Sequence, residues 1–281
     1  MLHCRLPDFY SRDNLATMKK IIPIYRDFQA ASPCSFDPRQ NRRRVTLSIN
    51  KDTDPAISRL YKKAMLAFGY ESSLLPNAMI ANDCTLCNAC IQIRIVVPEY
   101  KFSARERKVL HKNKRLKIAQ ETPSYSAEQY DIYLRHYNAH RDKFKGGTFF
   151  TEKEYEQFII MNSRTQIIRD PDNGSLKSAL YYDDYGDTLY GGQQIYDPAL
   201  SGRSSIGHLG ILKLIEFAQQ RGDIKHLYIG YWVKDSPTLD YKKRYHALEA
   251  FIDGEWVTFD PDKHTQGPRL PLPSQLAINL P

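Results

Sequence analysis

The sequence predicts an α+β fold in which a mixed β-sheet is flanked by helices, and one stretch in the C-terminal half carries the argument. A helix is indicated there because leucine and isoleucine recur at helical spacing, with Ser204 or Ser205 as the N-terminal cap and Gly222 at the end. The next run, residues 226–233, is short, apolar and rich in β-branched and aromatic residues, which is typical of a buried strand. A strand over residues 188–196 precedes the helix, so the stretch predicts a strand–helix–strand unit with parallel strands.

Local signals predict the other elements in chain order. Asp54 and Pro55 open a helix that Gly69 ends, and Thr151 with Glu154 forms a capping box at the start of another. Further helices are indicated over residues 103–117 and 126–143. Strands bounded by turn residues are indicated over residues 45–49, 165–168, 176–182, 250–252 and 255–259.

Composition and pattern divide the chain into four parts. Residues 1–25 form a polar extension, and residues 26–120 form an N-terminal α/β domain that carries a cysteine motif. Residues 121–260 form a C-terminal domain around the strand–helix–strand unit. Residues 261–281 contain five prolines and are expected to be an extended or disordered tail.

The charge and the apolar pattern limit the function classes. A chain of 281 residues with net charge +8 suits a polyanionic partner. The first twenty residues carry several charges and no apolar block, and no apolar run approaches the ~20 residues that span a bilayer, so neither a signal peptide nor a membrane partner is expected. An odd number of cysteines in a chain of this size favours a reducing compartment, so a cytoplasmic protein is expected. A monomer is expected as well.

Three cysteines stand at a regular spacing that a cysteine-poor chain rarely shows by chance. Cys84, Cys87 and Cys90 follow one another at intervals of three, and Cys34 lies upstream. Four soft ligands are the number that tetrahedral zinc or an iron–sulfur cluster requires. The alternative is a set of buried structural thiols or a redox-sensitive pair.

An ordered set of motifs resembles the C-terminal pattern of the aminoacyl-tRNA–protein transferases. The matching positions are Tyr196-Asp197-Pro198, Ser205-Ile206-Gly207, Ile211-Leu212, residues 228–233 and Leu239-Asp240-Tyr241-Lys242 with Tyr245. The N-terminal part is also similar to the family through Ser32-Pro33-Cys34, the three spaced cysteines and the strand that follows them. The resemblance covers roughly residues 30–257.

The resemblance implies a fold and a reaction. The fold would be a GNAT-like acyltransferase core joined to a cysteine-bearing N-terminal part. The reaction would move leucine or arginine from charged tRNA to the α-amine of proteins that begin with Asp or Glu, which marks them for degradation through the N-degron route. Aminoacyl-tRNA would be the co-substrate, no nucleotide cofactor is expected, and related eukaryotic members favour an iron–sulfur cluster over zinc.

Candidate site residues follow from this chemistry. Backbone N–H groups near Ser205 and Gly207 would bind a carbonyl or phosphate oxygen. Asp197 or Tyr241 would accept the proton of the amine. The substrate site would contain cationic and aromatic side chains that suit an acidic N-terminus, namely Arg94, Tyr231, Lys242 and Arg244.

A basic helix is the candidate tRNA contact. Arg105, Arg107, Lys108 and Lys112 lie in the helix that begins near Ser103. A solvated basic face would explain them equally well in isolation, but beside the transferase motifs contact with phosphates is favoured. Such contacts increase the affinity for tRNA but do not select a nucleotide sequence.

Several readings stay open. Asp240 and Leu239 depart from the family pattern, and this leaves the aminoacyl donor undecided, with leucine slightly favoured for so short a chain. An acyl-CoA-dependent N-acyltransferase shares the strand–helix–strand unit, but Gly207 comes one place late for its pyrophosphate loop. A basic RNA-binding protein with a cysteine-ligated metal site would explain the charge and the cysteines, and not the ordered motifs.

Overall fold

The fold is seen in a computed structural model of the chain. It describes residues 24–28, 32–34, 41–50, 52–72, 78–82, 84, 87–141, 149–200 and 204–267. The strands are β1 Ile24–Phe28, β2 Ser32–Pro33, β3 Asn41–Arg42, β4 Arg44–Ile49, β5 Glu71–Ser72, β6 Ala78–Asn82, β7 Ile91–Val96, β8 Lys117–Glu121, β9 Arg164–Arg169, β10 Leu176–Asp184, β11 Thr188–Tyr196, β12 His226–Trp232, β13 Leu248–Ile252 and β14 Glu255–Thr258. The helices are α1 Pro55–Ala67, α2 Ala104–Lys112, α3 Ala127–Ala139, α4 Glu152–Met161 and α5 Ile206–Arg221.

A large mixed sheet forms the centre of the described chain. Its eight strands run in the order β14-β13-β7-β12-β11-β10-β9-β8. β11 and β12 pair in parallel, and the other neighbouring pairs are antiparallel. The sheet takes β7 from the N-terminal side of residue 120 and places it between β12 and β13. The predicted boundary near residue 120 therefore does not separate two sheets.

A smaller antiparallel sheet lies beside the large one. Its order is β1-β4-β6-β5, and α1 packs against β5 and β6. Buried side chains of α1 and β4, among them Tyr61, Met65 and Leu47, share one core with Tyr228 of the large sheet. The small sheet is thereby fixed against the strand that ends at the candidate site.

Apolar faces of the helices cover the large sheet. On α5, Leu212, Leu214 and Ile215 are fully buried in the core that also contains Leu227 of β12, as their spacing predicts. Aromatic rings of α3 and α4 form a second core against β10, in which Tyr133 and Tyr155 stack with centroids 4.6 Å apart. The predicted α+β architecture, a mixed sheet flanked by helices, is confirmed.

Two helix predictions need correction. The helix predicted over residues 103–117 ends at Asn113, whose side chain donates to the Val109 carbonyl oxygen at 2.8 Å, and residues 117–121 form β8. Ser205 precedes α5 with φ of 54° and makes no capping hydrogen bond, while the Ser204 hydroxyl donates to the Leu200 carbonyl oxygen at 2.9 Å. The α5 N–H groups are consequently not capped by Ser205.

The start of the predicted tail is ordered. The N–H of Gly267 donates to the Asn88 carbonyl oxygen at 2.6 Å, and a Cβ at residue 267 would lie 2.5 Å from the Cys90 carbonyl oxygen. The expectation of disorder is thus wrong for residues 261–267, because this segment packs on Asn88 and Cys90. Residues 1–23 and 268–281 lie outside the described part of the chain. Within that part, no helix combines the length and apolar character that a membrane crossing needs.

Candidate active site

A large cavity lies where the two parallel strands separate. β11 and β12 pair only from Thr188 to Tyr190 and from His226 to Tyr228, and then diverge. The cavity that follows has a volume of about 1330 Å³ and is lined by the diverging strands, the first turn of α5, residues 237–245 and the small sheet. This separation is the feature that brings distant parts of the sequence together.

The N-terminal end of α5 forms one wall of the cavity. Ser205 and Gly207, both candidate residues, line it. A Cβ at residue 207 would lie 2.9 Å from Cε1 of Tyr196, so glycine lets the helix backbone approach this ring closely. A sixteen-residue helix presents unpaired N–H groups and a partial positive charge at this end, which suits an oxygen that carries negative charge.

Lys242 lies at the floor of the cavity. Its side chain is buried, and its Nζ donates to the Tyr231 carbonyl oxygen at 2.7 Å. Burial lowers the pKa of Lys242 to about 8, and the neighbouring Glu71 and Cys90 oppose this shift. Tyr231 contacts Lys242 through its backbone carbonyl oxygen, whereas its side chain is buried outside the cavity lining.

Tyr241 and Arg244 stand at the rim. Tyr241 is 42% exposed, and the guanidinium carbon of Arg244 lies 5.3 Å from the centre of its ring. Both residues line the cavity. The short 3-10 helix Asp240–Arg244 thus places the buried Lys242 and this exposed pair on the same side of the cavity.

Residues from the N-terminal half complete the lining, and sequence reasoning missed them. Arg44 of β4, Lys62 of α1 and Glu71 of β5 line the cavity opposite residues 237–245. The Nε of Arg44 is buried without a hydrogen bond, and burial lowers the pKa of Lys62 while Asp183 opposes the shift. No motif links these residues in sequence, because the packing of the small sheet alone brings them here.

Histidines of α3 line the apolar end of the cavity. The His136 ring lies 4.3 Å from the Tyr196 ring, edge to face, and His140 Nε2 lies 3.4 Å from the Tyr196 hydroxyl. Burial lowers the pKa of His136 to about 4, so this ring is neutral at physiological pH. Phe158 and Met161 of α4 contribute apolar surface at the same end.

Besides the side chain of Tyr231, the structure places the candidate residues Asp197 and Arg94 away from the cavity lining. Asp197 accepts hydrogen bonds from Arg135 at 3.0 Å and from the N–H of Ala199 at 3.1 Å, as a turn residue does. Arg94 pairs with Glu249 at 2.7 Å and lies 4.1 Å from the ring of Trp256. Both side chains are therefore held by neighbouring residues outside the cavity.

The basic helix α2 packs beside the N-terminal end of α5. Arg105, Arg107, Lys108 and Lys112 are exposed on it, and three of them line a shallow groove. The Asn113 side chain donates to the Ser204 carbonyl oxygen at 3.0 Å, directly before Ser205 of the cavity. The candidate phosphate contacts are therefore attached to the cavity wall.

Among the described residues, Cys34, Cys84, Cys87 and Cys90 form no disulfide. Burial, together with the charges of Cys34, Glu71, Cys84 and Cys87, raises the pKa of the Cys90 thiol, so these groups lie near one another. Among the residues that the structure describes, however, no three His, Cys, Asp or Glu side chains are placed to hold a metal ion.

Comparison with known proteins gives one consistent result. The family described as "Arginine-tRNA-protein transferase, C terminus" matches residues 128–252, which contain α5, β11, β12 and the Asp240–Arg244 segment. A protein of Ruegeria sp. named aspartate/glutamate leucyltransferase is 28% identical over 88% of this chain and 89% of its own length. A protein of the same name from Stenotrophomonas maltophilia is 29% identical over 82% and 91%.

Over most of its length the chain is therefore similar to the aminoacyl-tRNA–protein transferases. Matches to solved structures are more distant. "The structure of L-PGS from Bacillus licheniformis" is 9% identical with a TM-score of 0.39, over 52% of this chain and 47% of that chain. A "Probable N-Acyltransferase" from Enterococcus faecalis V583 is 10% identical with a TM-score of 0.33, over 77% and 61%. Because both TM-scores are low, neither structure supports an argument about individual residues of this chain.

The two roles of Arg94, structural and substrate-binding, make opposite predictions. We expect Arg94→Met to lower the free energy of unfolding by about 1–3 kcal/mol, because Glu249 loses its charged partner. The KM for an acceptor peptide should stay within about twofold of wild type, since Arg94 does not line the cavity. Urea unfolding and steady-state kinetics measure the two effects.

Arg115→Met is the matched control, because its ion pair with Asp172 is largely exposed and contributes about 0–1 kcal/mol. An Arg94 variant with unchanged stability and a KM raised tenfold would instead support the substrate role that the sequence predicts.

Proposed function

We propose that this protein transfers leucine from charged tRNA to the α-amine of proteins whose first residue is Asp or Glu. The single observation that carries the proposal is the joint presence of a cationic floor and a helix N-terminus in one cavity of a chain similar to these transferases. Leucine is favoured as the donor because the full-length relatives are named leucyltransferases, whereas the family description names arginine. Acceptors of this kind would pass to degradation in the cytoplasm.

The proposed reaction makes modest demands on the protein. The ester that joins leucine to tRNA is already activated, and an α-amine has a pKa near 7.7–8.0, so part of it is neutral at physiological pH. Holding both reactants in line and binding the oxyanion of the tetrahedral intermediate can supply most of the acceleration. The first turn of α5, at Ser205 and Gly207, is suited to bind that oxyanion. Tyr241, exposed at the rim, and Asp197 stay candidates for proton transfer.

The charges of the cavity suit an acidic acceptor. Arg44, Lys62, Lys242 and Arg244 supply four cationic groups to its lining. The buried Arg44 Nε would gain a hydrogen-bond acceptor from a bound carboxylate. A carboxylate would also offset the burial that lowers the pKa of Lys62.

The remaining surfaces suit the aminoacyl donor. The apolar end with Phe158 and Met161 fits a leucine side chain more readily than a guanidinium. The exposed cations of α2 would bind phosphates of the tRNA acceptor arm, beside the α5 terminus. Arg244 and the exposed Tyr241 ring would contact the terminal nucleotide or the acceptor.

The direct test is a transfer assay. Protein is mixed with tRNA charged with labelled leucine or arginine and with matched peptides that begin with Asp, Glu or Ala. We expect label from leucyl-tRNA to enter the Asp and Glu peptides and not the Ala peptide. Lys62→Gln should raise the KM for the Asp peptide about tenfold, since one charged contact is lost.

Lys63→Gln is the matched control, because the neighbouring Lys63 pairs with Asp187 at 2.6 Å and does not line the cavity. No transfer from either charged tRNA would overturn the proposed function. Salt-sensitive binding of tRNA without any transfer would then favour a basic RNA-binding protein.

The proposed role of α2 predicts a change in salt dependence. Replacing Arg107, Lys108 and Lys112 by Gln should weaken tRNA binding and lower the slope of log K against log salt by about 2–3, because about three phosphate contacts are lost. Filter binding at several salt concentrations measures this slope. Equal loss of charge at the exposed Arg59, Lys153 and Lys263 is the control; equal slopes for the two triple variants would refute the role of α2.

Metal binding at Cys34, Cys84, Cys87 and Cys90 stays a prediction of the sequence. If it holds, protein purified without oxygen contains about one zinc ion or one iron–sulfur cluster per chain, and Cys87→Ala loses it. Elemental analysis and absorbance measure this, with Cys4→Ala as the control. Metal well below one equivalent in the protein purified without oxygen would identify the four residues as packed thiols.

A further inference from the structure

Glu71 is a carboxylate that lines the cavity where the strands separate, and neither motif nor charge pattern singled it out. It begins β5 at the edge of the small sheet and lines the cavity with Tyr190, Gly191 and Lys242. Its position is fixed through Tyr70, whose N–H donates to the Met65 carbonyl oxygen and whose own carbonyl oxygen accepts from Gln92 of β7 at 3.2 Å.

A distortion in β12 makes room for this carboxylate. Gly230 has φ of +74°, and the pairing of β12 with β7 shifts register between Tyr228 and Tyr231. A Cβ at residue 230 would lie 2.9 Å from Oε1 of Glu71 and 3.5 Å from Nζ of Lys242. The same Oε1 accepts a hydrogen bond from the N–H of Tyr231 at 3.0 Å. The strand is thus shaped around a carboxylate and an ammonium group.

The groups that face Glu71 come from four different elements. They are Lys242 of the 3-10 helix, Tyr190 of β11, Tyr231 of β12 and Cys90 of the cysteine loop. The Lys242 ammonium and the Tyr231 N–H favour the ionised form of Glu71. An ionised carboxylate beside the point where the strands open can bind a cation and accept its proton.

We propose that Glu71 is the catalytic residue that holds the α-ammonium group of the acceptor and takes its proton. This assignment rests on the proposed function. The ammonium gives one proton to the Glu71 carboxylate, and the nitrogen lone pair attacks the ester carbonyl carbon. As the C–N bond forms, one of the two remaining N–H protons passes to the 3′-oxygen of the tRNA and the C–O bond breaks. Glu71 then releases its proton to water, which leaves a peptide bond and a free 3′-hydroxyl.

A weak base suffices for this step. The carboxylate is a weaker base than the α-amine, so at any moment only a small fraction of the bound acceptor is neutral, and this fraction attacks the already activated ester. The cations of Arg44 and Lys62 line the same cavity, so one acidic N-terminal residue would place its ammonium at Glu71 and its carboxylate at those cations. This arrangement matches both charges of the acceptor.

The decisive variant is Glu71→Gln, because the amide oxygen still accepts from the Tyr231 N–H while the charge and basicity are lost. Single-turnover transfer from leucyl-tRNA to an Asp peptide should slow about 10²- to 10⁴-fold. A peptide of the same sequence with an aminooxy group in place of the α-amine is uncharged at neutral pH and needs no prior deprotonation. With it, Glu71→Gln should react within about fivefold of the wild-type rate.

Asp183→Asn is the control, since Asp183 also lines the cavity but accepts hydrogen bonds from Ser72 and Tyr185 at 3.1 Å. Its ratio of amine to aminooxy rates should equal that of wild type. Equal slowing of Glu71→Gln with both nucleophiles, or no slowing with either, would overturn the assignment. Wild-type protein that transfers to neither peptide would overturn the proposed function itself.

Discussion

The separation of β11 and β12 after three parallel residue pairs is the constraint on which the rest of the structure depends. Parallel strands that stay paired leave no space between them, whereas these diverge beyond Tyr190 and Tyr228 and open the cavity. The positive φ of Gly230 belongs to this separation, because it turns the β12 backbone toward Glu71 and away from a regular ladder. A side chain at this position would meet the carboxylate, so glycine is required on steric grounds as well as conformational ones.

The sequence predicts the half of the site that is local in the chain. Ser205 and Gly207 begin one helix, and Lys242 and Arg244 lie in one short segment, so motif spacing alone identifies them, and all four line the cavity. Glu71 was missed because its element has two residues and no pattern, and only the docking of the small sheet brings it to the cavity. For Arg94 the sequence predicts a binding residue because a cation stands next to a motif, whereas the structure places its guanidinium against the Trp256 ring and Glu249, outside the cavity lining.

The buried ammonium of Lys242 carries a cost in stability. The folded protein binds this proton less tightly than the unfolded chain, since burial lowers the pKa from 10.5 to about 8. The resulting penalty is fully present below pH 8 and disappears as the pH rises toward 10.5. An apolar residue would remove that penalty but also the ammonium group that lies beside Glu71. Retention of the pair is consistent with a role in binding charged groups.

The contact between α2 and the start of α5 connects the candidate tRNA-binding helix to the wall of the cavity. If phosphates of the tRNA bind the exposed cations of α2, the 3′ end would lie along the cavity wall that contains Ser205. The hydrogen bond from Asn113 to the Ser204 carbonyl oxygen fixes the two helix ends against each other. Binding energy from a part of the tRNA that does not react would then position the ester at the α5 terminus, opposite Glu71. In such an arrangement, sequence-independent contacts accelerate the transfer by orienting the reacting groups.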